Sequence, residues 1–328
     1  MGVRIPSWVS SVNNLVNFEL YKNKRLQHLP PLNQLPFLKS IILRVMEALE
    51  YISDEDIVSD VLGGSFSSSK TPFFPPLSSL TLEECPNLKG WWRNSNDDDD
   101  NEPHHHLLPS FPPCLSQLKI RKCPNLTSMP PFPYLKEVLQ LHSCSWKVLE
   151  QTMKMGATTS THFPLSQLQI IELVQINDLE SLTEEGLWNL VSLRELYIER
   201  CDGLGSLCWI GTLTSLQKLS IWRCPKLKSL PQGIRNLTSL KQLTIIECTL
   251  LTQRCKRHIG EDWPIIAHVP CVIVDFENQQ EETKYLGMHL SIYLFFNPKI
   301  KINYWFLRDL ILWTTSKTIQ NLSYVETI

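Results

Sequence analysis

The chain has 328 residues, with 31 Lys and Arg against 33 Asp and Glu, for a formal net charge of −2. That balance, with 20% charged residues, excludes a basic nucleic-acid binder and a polyelectrolyte tail, and only 12 glycines disfavour a glycine-punctuated barrel or a dinucleotide fold. Leucine is the outlier: of 51 leucines, 44 lie in the first 251 residues, and their spacing becomes the question.

At the N-terminus, residues 1–10 show no basic segment followed by a long apolar run. Pro6 stands where N-myristoylation would want Ser or Thr, so neither a secretory signal nor an acyl anchor is expected. Ten cysteines are too sparse for a small disulfide scaffold and read as reduced thiols of a cytoplasmic chain.

The frame L-x-x-L-x-[LI]-x-x-C-x-x-L then recurs along the chain. It opens in degenerate form at Leu15, Phe18, Leu20, Asn23, Leu26 and at Leu38, Ile41, Leu43, Met46, Leu49. Full copies follow at Leu77, Leu80, Leu82, Cys85, Leu88 and at Leu115, Leu118, Ile120, Cys123, Leu126. An irregular copy has Leu139, Leu141 and Cys144, with Lys136 in place of the first leucine, and Leu168, Ile171, Leu173, Ile176, Leu179 form another degenerate one. Three full copies close the series, around Cys201, Cys224 and Cys248. The nine equivalent positions are 23, 46, 85, 123, 144, 176, 201, 224 and 248, spaced by 23, 39, 38, 21, 32, 25, 23 and 24 residues. The short intervals are those of leucine-rich repeats, and the long ones read as repeats carrying insertions at about 53–75, 93–112 and 150–163.

The alternation L-x-L places both leucines on one face of a short strand, and one strand alone cannot bury that face. Stacked strands about 4.8 Å apart share it. The expected fold is therefore α/β: a leucine-rich-repeat solenoid over residues 1–275, an open right-handed horseshoe of about nine irregular repeats with a parallel sheet on its concave face and a C-terminal cap.

Asn23, Cys85, Cys123, Cys144, Cys201, Cys224 and Cys248 occupy the position that ends each strand. A metal or redox array is one reading. A packed ladder of small, weakly polar side chains is the preferred one, because these cysteines fall one per turn, lack C-x-x-C pairing, and give way to Met46 and Ile176.

The phrases LEECPNLKGWW, IRKCPNLTSMP, IWRCPKLKSLPQGIRNLTSLKQLTI and GEDWPIIAHVPCVIVD resemble the C-terminal leucine-rich-repeat region of plant intracellular nucleotide-binding resistance proteins, the coiled-coil subclass above all. The likeness covers about residues 1–275 and implies a non-enzymatic, protein-binding arm in defense. No G-x-x-x-x-G-K-[ST] loop occurs, so the coiled-coil and nucleotide-binding modules, with their ATP switch, are not carried over and no cofactor is expected. The array begins in mid-pattern at Ile5-Pro6-Ser7-Trp8 without a polar cap, which reads as a truncated product or as an edge that something else covers.

Residues 94–106, NSNDDDDNEPHHH, could hold a divalent cation, but a solvated loop is preferred because the ligands have no fixed spacing on a rigid element. Residues 276–328 leave the repeat. Their apolar stretches 285–296 and 304–313 are shorter than a bilayer span, so an extension packed on the last turn is preferred to a membrane-surface segment. No G-x-S-x-G or H-E-x-x-H motif is present, and His28, His142, His162, His258 and His268 read as isolated surface or cap residues, so no catalytic site is assigned.

The residues between the anchors should form solvent-facing columns. They bring Lys119, Arg121 and Lys122 together on one strand, and Tyr197, Glu199, Arg200, Trp222 and Arg223 on two adjacent strands. Trp, Tyr and Arg together have the composition of a binding hot spot, and an ordinary mixed surface accounts for them equally well. The expected partner is a protein: a pathogen effector, a guarded host protein, or the nucleotide-binding module of a resistance protein. Rival readings are the substrate-recognition arm of a ubiquitin ligase, for which no F-box-like helix precedes the repeats, and a truncated non-functional paralogue.

Overall fold

The computed structural model describes residues 4–53, 74–92, 109–154, 163–180 and 189–275. The three insertions fall largely outside the described residues; the Asp/His run at 94–106, His162 and the 276–328 extension fall wholly outside them.

One parallel sheet organises the described residues. Its strands are β1 (Asn17–Tyr21), β2 (Ser40–Arg44), β4 (Ser79–Glu83), β6 (Gln117–Cys123), β7 (Val138–Cys144), β8 (Ile170–Val174), β9 (Glu195–Glu199), β10 (Lys218–Trp222), β11 (Gln242–Ile246) and β12 (Cys271–Val274), paired in that order. Two short strands, β3 (Tyr51–Ser53) and β5 (Gly90–Trp92), pair separately. The first nine strands of the large sheet each take one leucine frame. Anchor sits beside anchor, as in Leu80↔Leu118↔Leu139↔Ile171 and Leu196↔Leu219↔Leu243. The tenth strand, β12, lies in what the sequence reads as cap; CVIV carries no leucine frame, yet it pairs Ile245↔Val274.

Except for the half-buried Leu15 and Leu20 of the first repeat, the apolar anchors are buried, and they belong to one core cluster running from Phe18 to Val269. From β2 to β11 each strand of the large sheet buries its leucine or isoleucine pair, while β1 buries Phe18 and half-buries Leu20; β10 shows the alternation as exposed-buried-intermediate-buried-intermediate. At roughly 25 cal/mol per Å² of apolar surface, such burial is the dominant stabilising contribution, and it is available only when a neighbouring turn supplies the other wall.

Every strand of the large sheet carries the same bend at its C-terminal end. Lys22, Val45, Glu84, Lys122, Ser143, Gln175, Arg200, Arg223, Glu247 and Asp275 all have φ between 43° and 56°, in the left-handed region. In that conformation the N–H of the bend residue donates to the carbonyl at the end of the next strand: Lys22 N to Arg44 O (3.0 Å), Glu84 N to Arg121 O (2.9 Å), Arg200 N to Trp222 O (3.0 Å), Arg223 N to Ile246 O (2.9 Å). On the last full turn the acceptor changes. Glu247 N donates to Asp275 Oδ1 at 2.7 Å, so a carboxylate oxygen takes the role that a strand-end carbonyl plays on the earlier turns.

The C-terminal turn explains the Gly-Glu-Asp-Trp-Pro phrase. Helix α2 (Thr249–Arg254) and the single turn α3 (Trp263–Ile266) flank Asp262, which is only 3% exposed. Its carboxylate accepts from Leu230 N at 2.9 Å and from Arg254 Nη2 at 2.8 Å, tying the cap to the preceding repeat. Gly260 is required there, because a Cβ would lie 2.1 Å from the Arg254 carbonyl oxygen. Helix α1 (Lys147–Lys154) follows β7, and its Val148 and Leu149 are fully buried.

Among the described residues, Val45 is the one β-branched residue at a left-handed bend. A left-handed residue with a Cβ carries a penalty of about 1–2 kcal/mol, least for Asn and Asp. Val45→Asn should therefore raise the urea unfolding midpoint of the full chain, by an amount corresponding to about 0.5–1 kcal/mol; a lowered midpoint would mean that packing of the valine outweighs the strain.

Candidate functional site

The sheet face opposite the leucine core is built from columns that run across the strands. In register, the residue between the two anchors is Glu19, Ile42, Thr81, Lys119, Gln140, Glu172, Tyr197, Ser220 and Thr244 on successive strands. The residue after the second anchor is Tyr21, Arg44, Glu83, Arg121, His142, Val174, Glu199, Trp222 and Ile246. Beyond these, the left-handed bend residues form an outer column, which includes Lys122, Arg200 and Arg223.

These columns are far less open than period-two alternation predicts. Arg121 and Glu199 are buried at 8% exposure, as is Thr81; Gln140 is fully buried and Ile246 is 1% exposed. The physical reason is lateral. Adjacent strands stand about 4.8 Å apart, so long polar side chains lie along the sheet and cover one another. Arg121 Nη2 donates to Gln140 Oε1 (2.8 Å), and Gln140 Nε2 donates to Glu172 Oε2 (2.6 Å). His142 Nε2 lies 2.8 Å from Glu172 Oε1. His142 is thus a member of the face, not an isolated surface or cap residue.

The second group is organised by Glu199. The Tyr197 hydroxyl donates to Glu199 Oε2 at 2.5 Å, Arg223 Nη1 stands 3.5 Å and Arg200 Nε 3.7 Å from Glu199 Oε1, and Arg223 also holds Glu247 in a two-pronged pair at 2.8 and 2.9 Å. Burial pushes the Tyr197 phenol well up, and the neighbouring Glu199 charge adds to it, so the hydroxyl remains a donor. The Glu247 hydrogen bond raises Arg223 further. Trp222, on β10 beside Glu199 of β9, is partly exposed.

The structure brings Lys119, Arg121 and Lys122 together on β6, and Tyr197, Glu199, Arg200, Trp222 and Arg223 together on β9 and β10. The two groups are separated by β7 and β8, so they are about 14 Å apart across the sheet. Gln140, His142 and Glu172 bridge them. Gln140 and His142 were missed as site residues, although they follow from the Leu139-Leu141 frame once that irregular copy is given a strand of its own.

The ladder residues lie behind the bends. Asn23 is 7% exposed, with its side-chain oxygen 3.4 Å from Arg25 N; Cys85, Cys123, Cys201, Cys224 and Cys248 have no exposed surface, and Cys144 has 6%. Their thiols face the carbonyl two residues earlier, at 3.3 Å for Cys123 and Cys224 and 3.4 Å for Cys248. Cys224 N donates to Cys248 Sγ at 3.4 Å, linking one turn to the next. Burial pushes Cys144 up to about 12 and Cys201 to about 11. Cys224 is raised by its sulfur hydrogen bond to Cys248 and by burial.

One strand per leucine frame, a left-handed bend after each strand and a buried Asn or Cys behind it define a leucine-rich-repeat protein. The family described as R13L1/DRL21 LRRs matches residues 1–46 and 185–248. The chain is 30% identical over 298 residues to RGA4 of Solanum bulbocastanum, covering 82% of this chain and 27% of that protein. It is 26% identical over 286 residues to RPP13-like protein 1 of Arabidopsis thaliana, covering 77% of this chain and 22% of that protein. Both relatives bear the names of disease resistance proteins, and the chain spans about a quarter of their length. The repeat array is similar to the leucine-rich repeats of plant disease resistance proteins. Among solved structures, the leucine-rich repeat domain of the type III effector XopL has the same fold, with a TM-score of 0.51 at 20% identity, covering 81% of this chain and 78% of that one.

Iodoacetamide at pH 8 should label Cys114, Cys208 and Cys271, which are exposed, and spare Cys144 and Cys201 in the folded chain, with peptide mass spectrometry as the readout. The same burial makes alkali destabilising. Both thiols keep their protons in the folded state to about 12 and 11 against an ordinary value of 9.0, so their stabilising contribution is complete below pH 9 and is lost as pH rises from there towards those values. Unfolding midpoints flat between pH 9 and 11 would contradict this.

Proposed function

We propose that this array is a non-enzymatic protein-interaction arm in plant immune recognition, acting in the cytoplasm. Its strand face would contact a pathogen effector, a guarded host protein, or the nucleotide-binding module of a resistance protein. The observation that carries the reading is the Tyr197-Trp222-Arg200-Arg223 group: two aromatic residues and two arginines on adjacent turns, with Tyr197, Arg200 and Arg223 gathered on the buried Glu199 and Arg223 also held by Glu247. Aromatic and arginine side chains dominate protein-binding hot spots, and side chains already fixed before binding lose less conformational entropy when a partner arrives. Similarity to disease resistance proteins supports the biological setting. A ligand of this face could bias an on/off equilibrium only through a difference in its affinity for the two states.

Trp222→Ala and Arg223→Ala, in the full chain, should each weaken capture of a partner from plant extract by about 2 kcal/mol, roughly thirtyfold, while circular-dichroism melts remain close to the parent. Capture unchanged in both variants would remove this patch from the interface.

A further inference from the structure

We propose that Lys119, with Arg121 beside it, receives a carboxylate side chain of the partner protein. This rests on the reading of the strand face as a protein-binding surface.

Lys119 lies near the middle of the sheet, between Thr81 of β4 and Gln140 of β7, both neutral. Three other strand cations are ion-paired: Arg44 Nε stands 2.8 Å from Glu83, Lys122 2.6 Å from Glu84, and Lys218 2.8 Å from Glu195. Lys119 forms no hydrogen bond or ion pair among the described residues. The carboxylates around it are already committed, Glu83 to Arg44 and both Glu172 oxygens to Gln140 and His142. Arg121 directs Nη2 to Gln140 Oε1, and its guanidinium lies close enough to Lys119 for the two charges to repel. Half-burial, the Arg121 charge and, more weakly, Arg44 hold the Lys119 ammonium below its ordinary range. An incoming anion relieves the repulsion that Arg121 exerts on Lys119, and a half-buried ammonium has already lost part of the hydration that pairing removes. Glu172 lies close enough to stabilise Lys119, so a singly charged carboxylate fits the subsite better than a doubly charged phosphate, which the glutamate would repel twice over.

The test is selection of a random peptide phage library on the full chain, followed by resynthesis of the strongest binder with each acidic residue replaced by its amide. The expected binder contains an Asp or Glu whose amide replacement weakens binding about tenfold. Lys119→Met should weaken the acidic peptide by the same factor and leave the amide peptide unaffected, Lys218→Met should change neither, and Lys119→Glu should reverse the preference towards a peptide with Lys at that position. Comparable melting curves establish that the variants are folded, and the reversal by Lys119→Glu cannot arise from misfolding. Binders that lose affinity in Trp222→Ala but ignore Lys119→Met overturn the carboxylate subsite and leave the interface standing. Binders indifferent to both variants, or none at all, overturn the interface and the subsite with it. Displacement of the acidic peptide by inorganic phosphate but not by acetate assigns the subsite to phosphate and also overturns the proposal.

Discussion

The left-handed residue that ends each strand is the constraint on which the rest of the structure depends. A strand that simply continued would carry its polar backbone past the neighbouring strand, whereas the bend at φ near 50° turns the chain inward and still donates its N–H to the next strand. One residue therefore satisfies a backbone donor, stops the strand and aims the following side chain at the core. The conformational penalty of about 1–2 kcal/mol per non-glycine residue is comparable to the net worth of a backbone hydrogen bond, so the bend persists because adjacent turns hold it from both sides. Lys, Glu, Ser, Gln, Arg and Val all occur there, which shows that the position is set by the stack and not by the local preference of any residue.

The ladder is subordinate to that bend. Asn23 has an amide that can bond to the turn, and the cysteines offer only a weak S–H to carbonyls 3.3–3.9 Å away. Met46 and Ile176 offer no polar hydrogen at all, yet they occupy the same buried position and follow the same bend. The side-chain hydrogen bond is thus not what makes the turn. Volume and dryness are what the position requires, and cysteine meets both while adding a modest link such as Cys224 N to Cys248 Sγ. Each turn then contributes through its own packing and that of its nearest neighbours.

The leucine period was enough to place nine of the ten strands of the large sheet, because burying one face of an alternating strand leaves a spacing that composition alone cannot imitate. β12 escaped it: Cys271–Val274 has alternation too short to separate from a buried cap, and only the unused edge of β11 gives it a partner. The candidate face was legible as a set of columns and illegible as an environment. Alternation says that Arg121 and Glu199 point away from the leucines, which is correct, but exposure depends on the neighbours one strand over. Gln140 lies in line with Lys119 and Glu172, and its amide bridges Arg121 to Glu172, a lateral relation that no single frame contains. His142 was read as isolated for the same reason, since Glu172 is thirty residues away along the chain and on the adjacent strand in space.

The outcome is a face in two tiers with different tolerances. In the lower tier, Arg121, Gln140, Glu172 and Glu199 are buried and hydrogen-bonded, and removing one partner strands the desolvated group that remains, at about 1–3 kcal/mol or more for a charge. In the upper tier, the bend residues Lys122, Arg200, Arg223 and Glu247 keep much of their side chains in water, where an ion pair is worth less than about 1 kcal/mol. Residues of the upper tier can therefore change with little effect on stability while the lower tier holds the backbone and the aromatic residues in place. A repeat array built this way can vary the chemistry of its outer column and of the partly exposed Trp222 without rebuilding its sheet, because the bend fixes where each of those side chains starts and leaves its chemistry free.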